Sequence, residues 1–215
     1  MKSAWRSPAA WVLLLVVTCA GSTADLGSKS WAFSTVADTP VVLDRIELLE
    51  RPQANPIPHH QGQTVLPGGL LDFRLVLNQG AVFGLGAGQR GLLLAFTMLA
   101  IAVALFIFGW KTAATSRLAH VGIGLVLAGA LGNLWDRLLF SRVRDFLHML
   151  PGWRLPFGLT WPGGSAEVWP WIFNVADVLL LAGLVVILVH MRRADRIAAA
   201  HGPKADTDAQ GAPGA

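Results

Sequence analysis

The chain alternates between long apolar runs and short polar mouths. Leu92 to Trp110 is 19 residues without a charge, close to the ~20 that a helix needs to span hydrocarbon. Leu118 to Leu134 is a second run, with His120 near its start and Gly122, Gly124, Gly129 and Gly132 allowing close helix packing. Ile172 to His190 is a third. The N-terminal run, Ala9 to Ala20, is shorter and follows Lys2 and Arg6. Read alone it has the form of a secretory signal peptide, and Val16-Val17-Thr18-Cys19 hints at a lipobox, although Thr fits poorly before the cysteine. A retained span is favoured, because the helix can continue to Gly27 with small polar residues suited to a buried face. Four spans are therefore expected, at about 9–27, 92–110, 118–136 and 172–190.

The intervening segments, 30–90 and 140–171, read as extramembrane. Ile46-Glu47-Leu48-Leu49-Glu50 fits a strand or a short helix equally. Pro52 to Gly69, rich in Pro, Gly, Gln and His, reads as loop. Asp72-Phe73-Arg74-Leu75-Val76-Leu77 alternates like a strand, and Asn78 to Gly84 is turn-prone, with small residues where backbone can approach closely. Residues 151–171 hold four Pro, four Gly and four Trp, a composition suited to an irregular interfacial loop. The tail 192–215 reads as disordered. The expected architecture is a polytopic α-helical membrane protein, one four-helix domain over residues 1–191 with a small extracytoplasmic sheet.

Composition agrees with that class. Hydrophobic residues make up 53% of the chain and charged ones 14%, against about 25% charged in soluble proteins, and the mean hydropathy is +0.52. The net charge of +4 does not indicate nucleic acid, because the basic residues are dispersed or sit at the ends of apolar runs. Four spans place both termini on one side, with Lys2, Arg6, Lys111, Arg117, Arg192, Arg193 and Arg196. The positive-inside rule makes that side the cytoplasm. Arg137, Arg142, Arg144 and Arg154 fall opposite and are assigned to the site and to lipid headgroups. The single Cys19 excludes an internal disulfide.

With this topology Asp25, Asn78, Asp136, Asp145, Asn174 and Asp177 all lie at the outer face, and ionisable residues at membrane depth are functional candidates by default. Asn174 and Asp177, three apart on a helix, share a face, so the amide can orient the carboxylate. Interfacial caps and ion pairs are the plain alternative, strongest for Asp136. Two close carboxylates share a proton; the ionised one can take a proton from water while the other polarises a carbonyl. That suits peptide hydrolysis without metal, cofactor or covalent nucleophile. Rival chemistries are poorly supplied: there is no His-Glu-x-x-His, His59-His60 is a loop pair, Asp145 and His148 make at most half a metal site, and Ser28-Lys29 has the wrong spacing for a dyad. A small proton- or ion-coupled transporter is the alternative function, disfavoured because the acids sit at helix ends and no inverted repeat is visible.

Five blocks occur in order: Asp25-Leu26-Gly27-Ser28-Lys29, Asn78-Gln79-Gly80-Ala81-Val82-Phe83, Gly132-Asn133-Leu134-Trp135-Asp136-Arg137, Val143-Arg144-Asp145-Phe146 and Phe173-Asn174-Val175-Ala176-Asp177. Over about residues 9–191 the chain resembles bacterial lipoprotein signal peptidase, signal peptidase II. The resemblance implies an aspartic endopeptidase of the bacterial inner membrane that cleaves diacylglyceryl-modified prolipoproteins before the lipidated cysteine. It implies Asp145 and Asp177 as the catalytic dyad. Asn78, Gly80, Asn133, Arg137 and Asn174 would bind substrate backbone or buttress the dyad, and Asp25, Lys29 and Asp136 would hold the architecture. It further implies a small β-cradle and a short gating helix. The expected partners are prolipoprotein substrates and membrane lipid, with no nucleic acid, and the chain is expected to be a monomer. Two stretches depart from the family pattern: 38–70 and 150–171 are longer.

Overall fold

A computed structural model describes residues 3–51, 54–80 and 89–200, the last four by backbone only. Its elements in chain order are α1 (Pro8–Thr35), α2 (Arg45–Glu50), β1 (Gln63–Leu66), β2 (Leu71–Asn78), α3 (Arg90–Phe106), α4 (Arg117–Phe140), β3 (Val143–Met149), β4 (Ile172–Phe173) and α5 (Val175–Ala200). Four helices, α1, α3 with its π-helical extension Ile107–Lys111, α4 and α5, are long and apolar enough to cross a membrane.

Helix α4 is the centre of the bundle, packed against α1, α3 and α5. Its glycines explain how. A methyl group at Gly129 would overlap the Ala176 carbonyl of α5, and one at Gly132 would overlap the Asp25 carboxylate of α1. Small residues let backbones approach closely where lipid offers no hydrophobic drive for association. Thr18 and Ser22 use the closeness to donate to the carbonyls of Gly124 and Ala128, each at 3.3 Å. Thr18, buried, and Ser22, half-buried, thus lie on the seam with α4, while Thr23 and Gly27 are exposed, and α1 runs unbroken past them.

The helices overrun the expected spans at the end that carries the sheet. Helix α1 continues to Thr35 and α4 to Phe140, because Ala32, Phe33, Val36 and Ala37 pack under Leu75 and Phe146 of the sheet. Helix α5 begins at Val175, not 172, because Ile172 and Phe173 pair with His148 and Leu147 as β4. At its far end it continues to Ala200 through the Arg- and Ala-rich start of the expected disordered tail, residues with high helix propensity. Residues 201–215 of that expectation lie outside the described residues, as do Ala81 to Gly84.

The sheet is antiparallel in the order β1-β2-β3-β4. The 46–50 ambiguity resolves as helix α2, whose cap Asp44 accepts from the Ile46 and Glu47 amides at 2.7 and 3.0 Å. Strand β2 lies where alternation placed it. Strand β1 corrects the loop reading of 52–69: Thr64-Val65-Leu66 pairs with β2 across a turn in which Gly68 and Gly69 take positive φ. Opposite β2, β3 sets Val76 against Asp145 and Asn78 against Val143, with a register shift between Phe73 and Val76.

One residue turns α4 into β3. Ser141 caps α4 in the left-handed conformation (φ 60°), its amide donating to the Arg137 carbonyl at 3.1 Å. Glycine adopts that conformation without the Cβ clash that costs other residues about 1–2 kcal/mol. Ser141→Gly should raise stability by roughly 1 kcal/mol, read as a higher midpoint in thermal unfolding of the detergent-solubilised protein.

Candidate active site

The site forms where the ends of α1 and α4, the start of α5 and strands β2–β3 meet. Asn174 and Asp177 build the first part of it. Asn174 does not share a helical face with Asp177, as the spacing had implied; it is the residue before the helix. Its Oδ1 accepts from the Asp177 amide at 3.2 Å, and its own amide donates to Asp177 Oδ2 at 3.1 Å. This reciprocal capping pair satisfies two otherwise orphaned backbone donors and fixes Asp177 in the first turn of α5, where the helix dipole favours negative charge.

Asp145 arrives from β3. Its Oδ2 accepts from Asn78 Nδ2 at 2.9 Å and its Oδ1 from Asn174 Nδ2 at 2.6 Å. Asn78 reaches it as the diagonal neighbour on the same sheet face, and the Gly80 amide, donating to Asn78 Oδ1 at 2.8 Å, fixes which way that side chain points. Asn133 links Asp177 to Asn174 and so, through it, to Asp145. Its Nδ2 donates to Asp177 Oδ1 at 3.0 Å, while its Oδ1 accepts from Asn174 Nδ2 at 3.1 Å and Lys29 Nζ at 3.0 Å. With its oxygen claimed by two donors, Asn133 can present only its N–H to Asp177. Burial, and then the nearby Asp177 charge, push the Asp145 carboxyl from 3.8 up to about 7, against the opposing hydrogen bonds from Asn78 and Asn174.

Beneath the pair lies a buried charge cluster. Lys29 Nζ contacts Asp25 Oδ2 at 2.8 Å and Asp136 Oδ2 at 3.4 Å, with all three side chains fully buried. Asp25 Oδ1 accepts the Ala176 amide at 2.8 Å, so the first helix caps the last. Asp136 Oδ1 accepts from Nε and Nη2 of Arg144 at 3.0 and 2.8 Å, and Asp136 Oδ2 from the Arg144 backbone amide at 3.0 Å. Arg144 was assigned by position to the site or to headgroups; the structure makes it the clamp that fixes the backbone immediately before Asp145. Its eight-residue distance from Asp136 across a chain reversal was the available signal. Arg137 donates to the Gly80 carbonyl at 2.9 Å and lies within electrostatic reach of Asp145 and Asp177. Arg142 holds the chain after α2 through the Ala54 carbonyl.

The ten residues that the resemblance marks therefore come to one place: Asp145 and Asp177 linked through Asn133 and Asn174, flanked by Asn78, Gly80 and Arg137, over Asp25, Lys29 and Asp136. The remaining candidates stand apart. His148 is three from Asp145 on a strand, hence on the opposite face, and its Nε2 lies 3.3 Å from Glu167. Among the described residues no group of three or more His, Cys, Asp or Glu could hold a metal ion. His60 serves the backbone, accepting from the Leu75 amide at 2.9 Å, and Cys19 is exposed on α1.

Comparison with known proteins bears on the whole arrangement. The lipoprotein signal peptidase of Methylorubrum extorquens strain PA1 is 38% identical over 130 residues, 58% of this chain and 66% of that protein. That of Geobacillus kaustophilus strain HTA426 is 36% identical over 114 residues, 53% of this chain and 64% of that protein. The matches thus span just under two thirds of the length of these relatives. A bacterial membrane enzyme solved by the in meso method at 2.3 Å resolution shares the fold, with a TM-score of 0.58 at 21% identity over 91% of this chain and 94% of its own. The model of one family, described as signal peptidase (SPase) II, matches residues 17–193. The chain belongs to the signal peptidase II family.

Proposed function

We propose that the chain is a membrane aspartic endopeptidase that removes signal peptides from diacylglyceryl-modified prolipoproteins, with Asp145 and Asp177 as its catalytic pair. The observation that carries this reading is the bridged pair itself, two carboxylates from different elements both bonded by Asn174, which donates to Asp145 through its side chain and to Asp177 through its backbone amide. Family membership supports it, and nothing in the comparisons supports an ion-coupled transporter.

Asp177, supplied with donors from Asn133 and the Asn174 amide, acts as the ionised acid and takes a proton from water. The water oxygen attacks the carbonyl carbon preceding the lipidated cysteine as Asp145 gives its proton to the carbonyl oxygen. The tetrahedral diol then collapses: the C–N bond breaks, Asp177 passes its proton to the leaving amine, and Asp145 recovers one from the diol. Arg137, Asn78 and Gly80 line the approach and bind substrate backbone. Asp25, Lys29, Asp136 and Arg144 hold the platform. The basic residues at the opposite helix ends orient the bundle with both termini cytoplasmic and the site at the outer face.

The test is incubation of the purified protein with a diacylglyceryl prolipoprotein and, in parallel, with its unlipidated form. Release of the signal peptide from the first alone is expected; cleavage of both or of neither overturns the substrate assignment. The raised Asp145 carboxyl adds a pH dependence. Asp145 must hold its proton, so kcat/KM should fall as pH rises through about 7. In Asp177→Asn the lost neighbouring charge lets the Asp145 carboxyl move back down. The proton-linked loss of stability between pH 4 and 7, expected in the wild type because folding raises that carboxyl, should then be shallower in unfolding measurements across that range.

A further inference from the structure

Away from the site, the largest feature that the mechanism does not use is the excursion between β3 and β4. Its arms are tied together: Leu155 N–H donates to the Ala166 carbonyl at 2.8 Å and Val168 N–H to the Trp153 carbonyl at 2.7 Å. Its base is tied to the sheet, Trp153 Nε1–H donating to the Gly68 carbonyl of the β1–β2 turn at 3.0 Å. Farther out the chain closes a tight turn, Leu159 N–H to the Pro156 carbonyl at 3.2 Å, whose central residues Phe157 (φ 59°) and Gly158 (φ 71°) are both left-handed. Glycine takes that conformation freely and a bulky aromatic does not. Phe157 is nevertheless held there 98% exposed, an arrangement that gains nothing in water.

The surroundings say what the ring faces. Leu159 and Trp153 are also exposed, and Leu66, Leu70 and Met149 carry the apolar surface across the base of the excursion. From Pro151 to Trp171 the ionisable residues are Arg154 and Glu167. Glu167 is about two-thirds covered, its carboxylate 3.3 Å from the buried His148 ring, which leaves Arg154 as the more exposed charge. Aromatic rings, aliphatic side chains and an exposed guanidinium, with the one acid turned to His148, match the headgroup layer of a bilayer, where anionic lipid attracts cations and repels carboxylates. The same sheet rests on the spans, where Trp31 of α1, half exposed, meets Phe73 of β2 edge-on at 5.3 Å.

We propose that the 151–171 excursion is a second membrane contact, with its Phe157 apex seated in the headgroup layer of the bilayer that the four helices cross. The test uses the full chain in lipid nanodiscs with Cys19→Ser and Phe157→Cys, the new thiol carrying an environment-sensitive fluorophore. Leu99→Cys on exposed α3 marks the hydrocarbon, and the same fluorophore on free cysteine marks water. Iodide should quench the label at 157 roughly threefold less than the free label, and nitroxide lipids labelled near the headgroup should quench it more than those labelled at the chain end, as for a side chain at interfacial depth. Iodide quenching equal to that of the free label overturns the proposal. So does protection from iodide without nitroxide quenching, which would mean that protein covers the apex. Repeating the measurement at Leu159→Cys, with cleavage activity confirming the fold of each variant, keeps the result independent of one substitution.

Discussion

Asp145→Asn and Asp177→Asn should each lower signal-peptide release by about 10³-fold or more, the scale on which a positioned acid or base contributes. The two variants need not be equal in stability, and the difference separates chemistry from folding. Both carboxylates receive two N–H donors. An Asn at either position must turn its own NH₂ toward one of them, leaving a donor facing a donor at a cost of roughly 1–3 kcal/mol. At 145 this is offset by removing a carboxyl that burial holds near neutrality, its protonation balanced at about pH 7. Asp145→Asn should therefore unfold close to the wild type at neutral pH while losing cleavage. Asp145→Glu, which keeps the acid and moves it by one methylene, should be inactive too, since the amide bridge fixes the oxygens. Cleavage by either Asn variant at the wild-type rate sinks the assignment of the pair.

The largest effect on stability should come from Lys29→Met. The buried cluster balances Asp25 and Asp136 against Lys29 and Arg144. Removing the ammonium leaves one carboxylate uncompensated in a site where all three of Asp25, Lys29 and Asp136 are fully buried, and breaking a buried pair in this way costs about 3–5 kcal/mol. The expected readout is loss of folded protein at normal growth temperature, or a large drop in the thermal midpoint. Combining Lys29→Met with Asp25→Asn restores the balance, so the double variant should be more stable than the sum of the single losses predicts. Strict additivity would mean that the ammonium and the carboxylate are not coupled.

How far the fold could be read ahead follows from what each feature depends on. The spans were legible because lipid imposes length and hydropathy on a helix whatever its neighbours. That the acids and amides of the site would meet was legible because polar groups at helix mouths are costly to keep without partners. The helix ends were not, since α1 and α4 stop where the sheet packs on them, and that surface is made by residues far away in sequence. Strand β1 was hidden inside a Pro- and Gly-rich segment because two strong β-formers beside a Gly-Gly turn resemble loop until a partner strand is known. The partner of Arg144 was not legible for a related reason: Asp136 lies on the other side of the Ser141 reversal, which depends on a backbone conformation that serine rarely takes.

The bond from Asp25 to the Ala176 amide spans 151 positions, and it sets a timetable. Helix α5 leaves the ribosome after α1, α3 and α4, and its start brings the cap Asn174, then Asp177 and the Ala176 amide that Asp25 accepts. A nascent chain that has inserted its first three spans holds Asp145 without its partner and Asp25 without its target. The proposed catalytic pair is thus incomplete until α5 docks on α1 and α4, so both the platform and the pair are closed by one late packing event.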